Sequence, residues 1–220
     1  MKFQILTYLA STAVAVSNHE SHIFTRQGTS SIWAGGIHTS NSVTFVTGTI
    51  TLPPYKNEPS RGVSFWVGID GATCRDAILQ TGVDYLDNRV YPWYEWYPEE
   101  TKFYSDGLSA KPGDKIRMTV TATSSTSGIA SLENLTTGVK RSVTLRDKKK
   151  LCLRDAEWIV ENVAKEGLSD FGEVRFSETK WRSDRGEGGA SGAKVYDVTR
   201  SGRKQTSCSA GGDVVCKFVG

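Results

Sequence analysis

Residues 115–123 alternate without a break: Ile116, Met118, Val120 and Ala122 fall on one side, and Arg117, Thr119, Thr121 and Thr123 on the other. A period of two sends these sets to opposite faces of an extended strand, one toward a core and one toward water. Similar runs recur along the chain with turn residues between them. Residues 43–52 alternate and end at Pro53-Pro54; residues 63–69 and 77–83 are divided by Asp70-Gly71-Ala72-Thr73-Cys74. Residues 91–97 form an aromatic run closed by Pro98, and residues 129–134 and 140–145 flank Thr137-Gly138 as a hairpin. Residues 157–163, 174–177, 194–199 and 214–219 complete the set, the first being short enough for a helix as the alternative. Residues 182–192 are glycine-rich and charged and read as a mobile loop, whereas 18–31 are polar and read as loose. Glycine numbers 22, and no long helical stretch, internal repeat or linker interrupts the series. The pattern predicts an all-β fold: one antiparallel β-sandwich of two packed sheets, jelly-roll or concanavalin-like, over residues 32–220.

The N-terminus predicts export. Met1-Lys2 is followed by a mostly apolar or small stretch and by Ala13-Val14-Ala15, a small-x-small cleavage pattern. Residues 1–15 therefore read as a signal peptide and 16–31 as a short pro or linker segment. No other apolar run approaches ~18 residues, so no membrane association is expected after its removal. A secreted, extracellular chain favours paired cysteines. Four cysteines allow three connectivities, and the turn sequence between Cys208 and Cys216 favours a local bridge, which leaves Cys74 with Cys152. Asn134-Leu135-Thr136 is an N-glycosylation acceptor sequence.

Charge excludes one class of partner. The net charge is only +3, the basic residues of the C-terminal part are interleaved with acids, and no nucleic-acid motif accompanies them. Catalytic inventories narrow the rest. His19, His22 and His38 all precede the main strand-rich body, which leaves no His-based triad and too few ligands for a metal. Bridged cysteines are not nucleophiles, and no phosphate-binding loop precedes a helix, so no cofactor is expected. Carboxylates, amides and aromatics remain.

Alternation sorts these. Trp66, Gly68 and Asp70 share a face opposite Phe65, Val67 and Ile69. Gln80, Gly82 and Asp84 share another, as do Trp93, Glu95 and Tyr97, and Glu157 with Glu161. Four segments thus present polar and aromatic side chains with glycines between them, the makings of a cleft in which a substrate backbone lies close to a sheet.

These blocks carry a resemblance. Trp66-Val67-Gly68-Ile69-Asp70-Gly71, Ala77-Ile78-Leu79-Gln80-Thr81-Gly82-Val83-Asp84, Trp93-Tyr94-Glu95-Trp96-Tyr97-Pro98 and Ala156-Glu157-Trp158-Ile159-Val160-Glu161 resemble the motif blocks of the glutamic peptidases, or eqolisins, in order and over nearly the whole of residues 33–219. The resemblance implies a secreted acid endopeptidase acting on proteins or peptides, with Gln80 and Glu157 catalytic and Trp66, Asp70, Asp84, Trp93, Glu95 and Tyr97 in the cleft. The chain departs from the family in a short segment ahead of the first family-like residues, in a basic pI of about 8.6, and in Tyr91-Pro92 where members tend to carry an acid. A monomer is expected.

A Gln/Glu pair also has its own physical case. A carboxylate takes a proton from water and later returns it to the leaving nitrogen. A side-chain amide donates to the developing oxyanion, and because it does not titrate it persists in acid where histidine would be protonated. Gln80 follows Cys74 by six residues and Glu157 follows Cys152 by five, so a bridge between those cysteines would start two same-direction strands that reach similar heights. Such strands are not neighbours in an antiparallel sheet, and one strand between them sets the backbones roughly 10 Å apart. The competing reading is a carbohydrate-binding or glycan-cleaving sandwich that uses the Trp/Tyr cleft with Glu95 and Glu157 as an acid/base couple.

Overall fold

The computed structural model describes residues 29–220 apart from 55, 57, 59 and 106. The signal-peptide reading and most of the segment read as loose lie outside them. Strands occur in the order β1 (Thr29–Ser30), β2 (Trp33–Thr39), β3 (Phe45–Thr51), β4 (Gly62–Ile69), β5 (Ile78–Leu86), β6 (Arg89–Tyr97), β7 (Lys102–Phe103), β8 (Lys115–Ser124) and β9 (Ser127–Asn134). They continue with β10 (Val139–Leu145), β11 (Asp155–Glu161), β12 (Glu173–Ser183), β13 (Gly186–Gly188), β14 (Lys194–Arg200), β15 (Arg203–Lys204), β16 (Thr206–Ala210) and β17 (Val214–Phe218). No helix occurs among the described residues, so the run around Glu157 is a strand that begins at Asp155.

A nine-stranded sheet runs β1-β14-β2-β11-β4-β5-β6-β7 with β15 on β14, and an eight-stranded sheet runs β10-β9-β8-β3-β12-β17-β16 with β13 on β12. Apart from β1 with β14, the paired strands are antiparallel. The apolar side of each alternating run fills the space between the sheets. Phe65, Val67, Leu79, Val83 and Trp158 of the first sheet meet Val46, Ile50, Met118, Val120 and Phe176 of the second, all fully buried. Trp158 donates its indole N–H across the interface to the Thr47 carbonyl at 2.8 Å. That bond satisfies a polar atom that burial would otherwise penalise.

β4, β5 and β11 are buried on both faces nearly throughout. Their outer face is covered by its own side chains: Trp33, Ile37, Trp66, Trp93, Ile159 and Tyr196 form a second apolar cluster outside the sandwich core. The polar and aromatic face expected of these strands is thus the floor of a self-packed layer rather than a solvated surface.

Three readings of the sequence need correction. Thr29–Ser30 pairs with Asp197–Val198 of β14, so the sheet begins within the segment read as loose and as a linker. Residues 182–192 are not a loose loop: β13 returns against the end of β12, with Glu187 ion-paired to Lys180 at 2.8 Å and Gly188 lying against the Trp181 ring. Cross-strand charges and a glycine that admits an indole are hairpin chemistry that a count of glycines does not reveal. Asn134 is fully buried; its amide donates to Ser109 O and Asp114 Oδ2, both at 2.9 Å, and its oxygen accepts from the Thr136 and Thr137 amides. A glycan on that nitrogen has no room, and the Asn-x-Thr sequence serves here to cap the β9–β10 turn.

Candidate active site

Gln80 and Glu157 stand on one line across the first sheet. Glu157 is paired with Gly68, Gly68 with Gln80, and Gln80 with Glu95, on four successive strands β11, β4, β5 and β6. Directly paired residues of an antiparallel ladder project from the same face. β5 and β11 run in one direction with β4 between them, which places the two backbones roughly 10 Å apart. Gly68 has no side chain to fill that gap. A Cβ there would lie 2.9 Å from Cζ3 of Trp66 and 3.4 Å from Cβ of Gln80. The glycine leaves a trough between an amide and a carboxyl group.

Both side chains are fully buried. Glu157 Oε1 accepts the Ala72 amide at 3.0 Å, whereas its Oε2 has no hydrogen-bond partner among the described residues. Gln80 Nε2 donates to Glu95 Oε1 at 3.3 Å, and Gln80 Oε1 is likewise without a partner. Glu95 Oε2 accepts from the Thr101 hydroxyl. A buried polar atom left unbonded costs about 1–3 kcal/mol, so a site holding two of them on one line is built to be completed by water or substrate. Burial pushes the Glu157 carboxyl well above the ordinary glutamate range, and the nearby Asp155 and Asp70 carboxyls push it the same way.

The turn from β4 to β5 is tied to the entry of β11. Asp70 has φ 67°, an arrangement that aspartate tolerates better than most residues. Its carboxylate accepts the backbone amides of Leu153, Arg154 and Asp155 at 2.8, 2.6 and 3.3 Å. Burial raises the Asp70 carboxyl, and those three amides oppose the shift. In return, Asp155 accepts from the Thr73 amide at 2.7 Å and from the hydroxyls of Thr73 and Thr39. Cys74 is bonded to Cys152 across the same junction, and Cys208 to Cys216 across the β16–β17 hairpin. Asp70 is therefore committed to backbone amides and holds the loop rather than meeting a substrate, which corrects its placement among substrate-binding residues.

The other residues expected in a cleft lie on the same face. Trp66 donates its indole N–H to Glu161 Oε2 at 2.8 Å and meets Trp33 edge-on at 4.9 Å. Trp93 lies opposite Gly82, Asp84 opposite Tyr91, and the half-buried Tyr97 opposite Ile78. Sequence reasoning overlooked Asp155, Thr73, Thr101 and the Ala72 amide. Asp155 was accessible to it, lying two residues before Glu157 and hence on the same face; the loop groups carry no periodic signal. His38 pairs with Ala156 on the core side and stacks on Trp181 at 4.3 Å, away from this line.

Residues 31–218 match the Peptidase A4 family. The chain belongs to that family. The peptidase is 38% identical to aspergillopepsin-2 of Aspergillus niger over 221 residues, covering 87% of this chain and 78% of the relative. It is 37% identical to scytalidopepsin B of Scytalidium lignicola over 204 residues, covering 85% and 77%. Among solved structures it resembles scytalido-glutamic peptidase bound to a transition state analog inhibitor, with a TM-score of 0.79, 36% identity, and 86% and 98% of the two chains covered. This protein is a glutamic peptidase, an eqolisin, and a hydrolase. The glycan-cleaving alternative is not favoured: Glu95 and Glu157 are three strand spacings apart, roughly 14 Å between backbones, and both Glu95 oxygens already accept hydrogen bonds.

Proposed function

We propose that this chain is a secreted endopeptidase that hydrolyses peptide bonds in mild acid, with Glu157 activating water and Gln80 stabilising the oxyanion. The observation that carries the reading is the Glu157–Gly68–Gln80 line, with one unpartnered oxygen on each side chain of the pair. In the reaction, Glu157 Oε2 removes a proton as the water oxygen bonds to the scissile carbonyl carbon. Gln80 Nε2 carries two N–H groups; one serves Glu95 and the other is left for the oxygen that becomes negative. As the tetrahedral adduct collapses, the C–N bond breaks and Glu157 returns its proton to the leaving nitrogen. An acid and an amine result, and both side chains are restored. Glu95, fastened by Thr101, orients the amide. The Cys74–Cys152 and Cys208–Cys216 bridges support an oxidising, extracellular destination.

Because the Glu157 carboxyl is raised, the limb on which it becomes a competent base lies above the ordinary glutamate range. The test is hydrolysis of a denatured protein from pH 2 to 7 in the presence of a pepstatin-type inhibitor. Gln80→Ala is expected to lower kcat by on the order of 10²–10³-fold, the usual worth of one oxyanion donor. Glu157→Gln is expected to abolish hydrolysis while the fold is retained. A Glu157→Gln protein that cleaves like wild type overturns the assignment.

A further inference from the structure

The line through the pair continues beyond Glu157. Glu157 pairs with Ile37 of β2, and Ile37 pairs with Lys194 of β14. Lys194 therefore projects from the cleft face at the height of Glu157, two strands away on the side opposite Gln80. Its backbone is roughly 10 Å from that of Glu157. Lys194 is exposed, and its ammonium sits 5.0 Å from the centre of the Tyr196 ring. No carboxylate among the described residues lies within ion-pair distance of it. Ile37, a buried member of the floor cluster, forms an apolar step between the lysine and Glu157, and Tyr196 of the same cluster lies two residues along β14, opposite Gly35.

The charge pattern makes this cation distinctive. Next to Glu157 the same face carries the buried carboxyls of Asp155 and Glu161, and beyond Gln80 that of Glu95. An acidic floor disfavours acidic substrate side chains everywhere except where a positive group offsets it. Lys194 offers that offset on the Glu157 side, whereas Arg89, on the same face of β6, lies at the far end beyond Gln80. A side chain lying over Ile37 would rest its methylenes on the apolar step and bring its end group to the ammonium.

We propose that Lys194, with the Tyr196 ring beneath it and Ile37 beside it, forms a specificity subsite for a carboxylate side chain of the substrate, on the Glu157 side and within about three residues of the scissile bond. The inference rests on the peptidase reading of the Gln80–Glu157 pair. The span follows from the roughly 10 Å offset and a rise of about 3.3 Å per extended residue. Lys194 selects substrates and takes no part in bond breaking.

The test uses peptides with a single cleavable bond in which each position up to three residues either side is Glu, Gln or Lys in turn. They are assayed at pH 5, above the ordinary glutamate pKa of about 4.3. Wild type is expected to cleave the Glu peptide about two- to fivefold better than the Lys peptide, by kcat/KM, at one position, as suits an exposed charge contact. The ratio is expected to shrink toward unity in 0.5 M salt and to invert in Lys194→Glu. A Glu:Lys ratio that is the same in wild type and Lys194→Glu at every position overturns the subsite while leaving the peptidase reading intact. If Glu157→Gln also cleaves these peptides, both fall together.

Discussion

Gly68 separates Gln80 and Glu157, the pair to which the chemistry is assigned in the proposal, and Gly68→Ala tests whether the trough it leaves is needed. A Cβ at this position lies 2.9 Å from Cζ3 of Trp66. Ordinary carbon contacts fall at about 3.5–4.0 Å, so the indole must retreat by about 0.6–1.1 Å. It is held by its bond to Glu161 and by the edge of Trp33. Overpacking of this kind costs about 1–3 kcal/mol, and replacing glycine by alanine in an extended strand returns about 0.5–1 kcal/mol. The net loss of stability is therefore about 0–2.5 kcal/mol. The chemical loss is larger: the methyl intrudes between Gln80 and Glu157, and a misplacement near 1 Å costs on the order of 10²-fold. Gly48 in β3 supplies the control, since a Cβ there also meets a tryptophan at 2.9 Å, Cδ1 of Trp158, but inside the sandwich core. Urea unfolding and kcat on a denatured protein are the two assays. Both variants are expected to lose comparable stability, and only Gly68→Ala to lose about a hundredfold in kcat. Wild-type kcat in Gly68→Ala, or equal losses in the two variants, would refute the reasoning.

Glu157→Gln carries a second prediction, on stability. The folded chain keeps a proton on Glu157 that the unfolded chain has already released, between the ordinary glutamate range and the raised folded value. The unfolded state then binds fewer protons, so wild-type stability is fullest below that window and falls as pH rises through it. The variant lacks this fall: its Tm is expected to match wild type in strong acid and exceed it near neutrality, and parallel Tm curves would contradict the burial assigned to the carboxyl. The two bridges also rank. They close separations of 78 and 8 residues, which the chain-entropy relation converts to about 4.5 and 2.5 kcal/mol. Replacing Cys74 and Cys152 together by serine should cost more in urea unfolding than replacing Cys208 and Cys216, and the reverse order would count against a loop-entropy origin.

Much of the site was legible because strand alternation is a local property. Trp66, Gly68, Gln80, Glu95 and Glu157 fall on one face each by parity alone, and one face of the first sheet contains them all. The limits came where a second chain segment decides the outcome. Asp70 shares the parity of Gly68, yet three amides from residues 153–155 claim it. Asn134 carries an acceptor triplet, yet Asp114 and Ser109 bury it. The segment 182–192 looks loose until Glu187 meets Lys180 across a turn. Similarly, β5 runs on past Val83 to a turn at Asp87-Asn88, both with positive φ, which suits a two-residue hairpin.

The all-β class, the inward and outward sets of most strands, and the residue types left for catalysis follow from the order of residues along the chain. Each of these depends on spacing along the chain or on composition. That β4 lies between β5 and β11, that a glycine occupies the crossing point, and that Lys194 joins the same line come only from the packed sheets. Strand order and register are relations between segments far apart in sequence. They are set by which faces can be buried together and which backbone groups can pair, and no single strand carries that information.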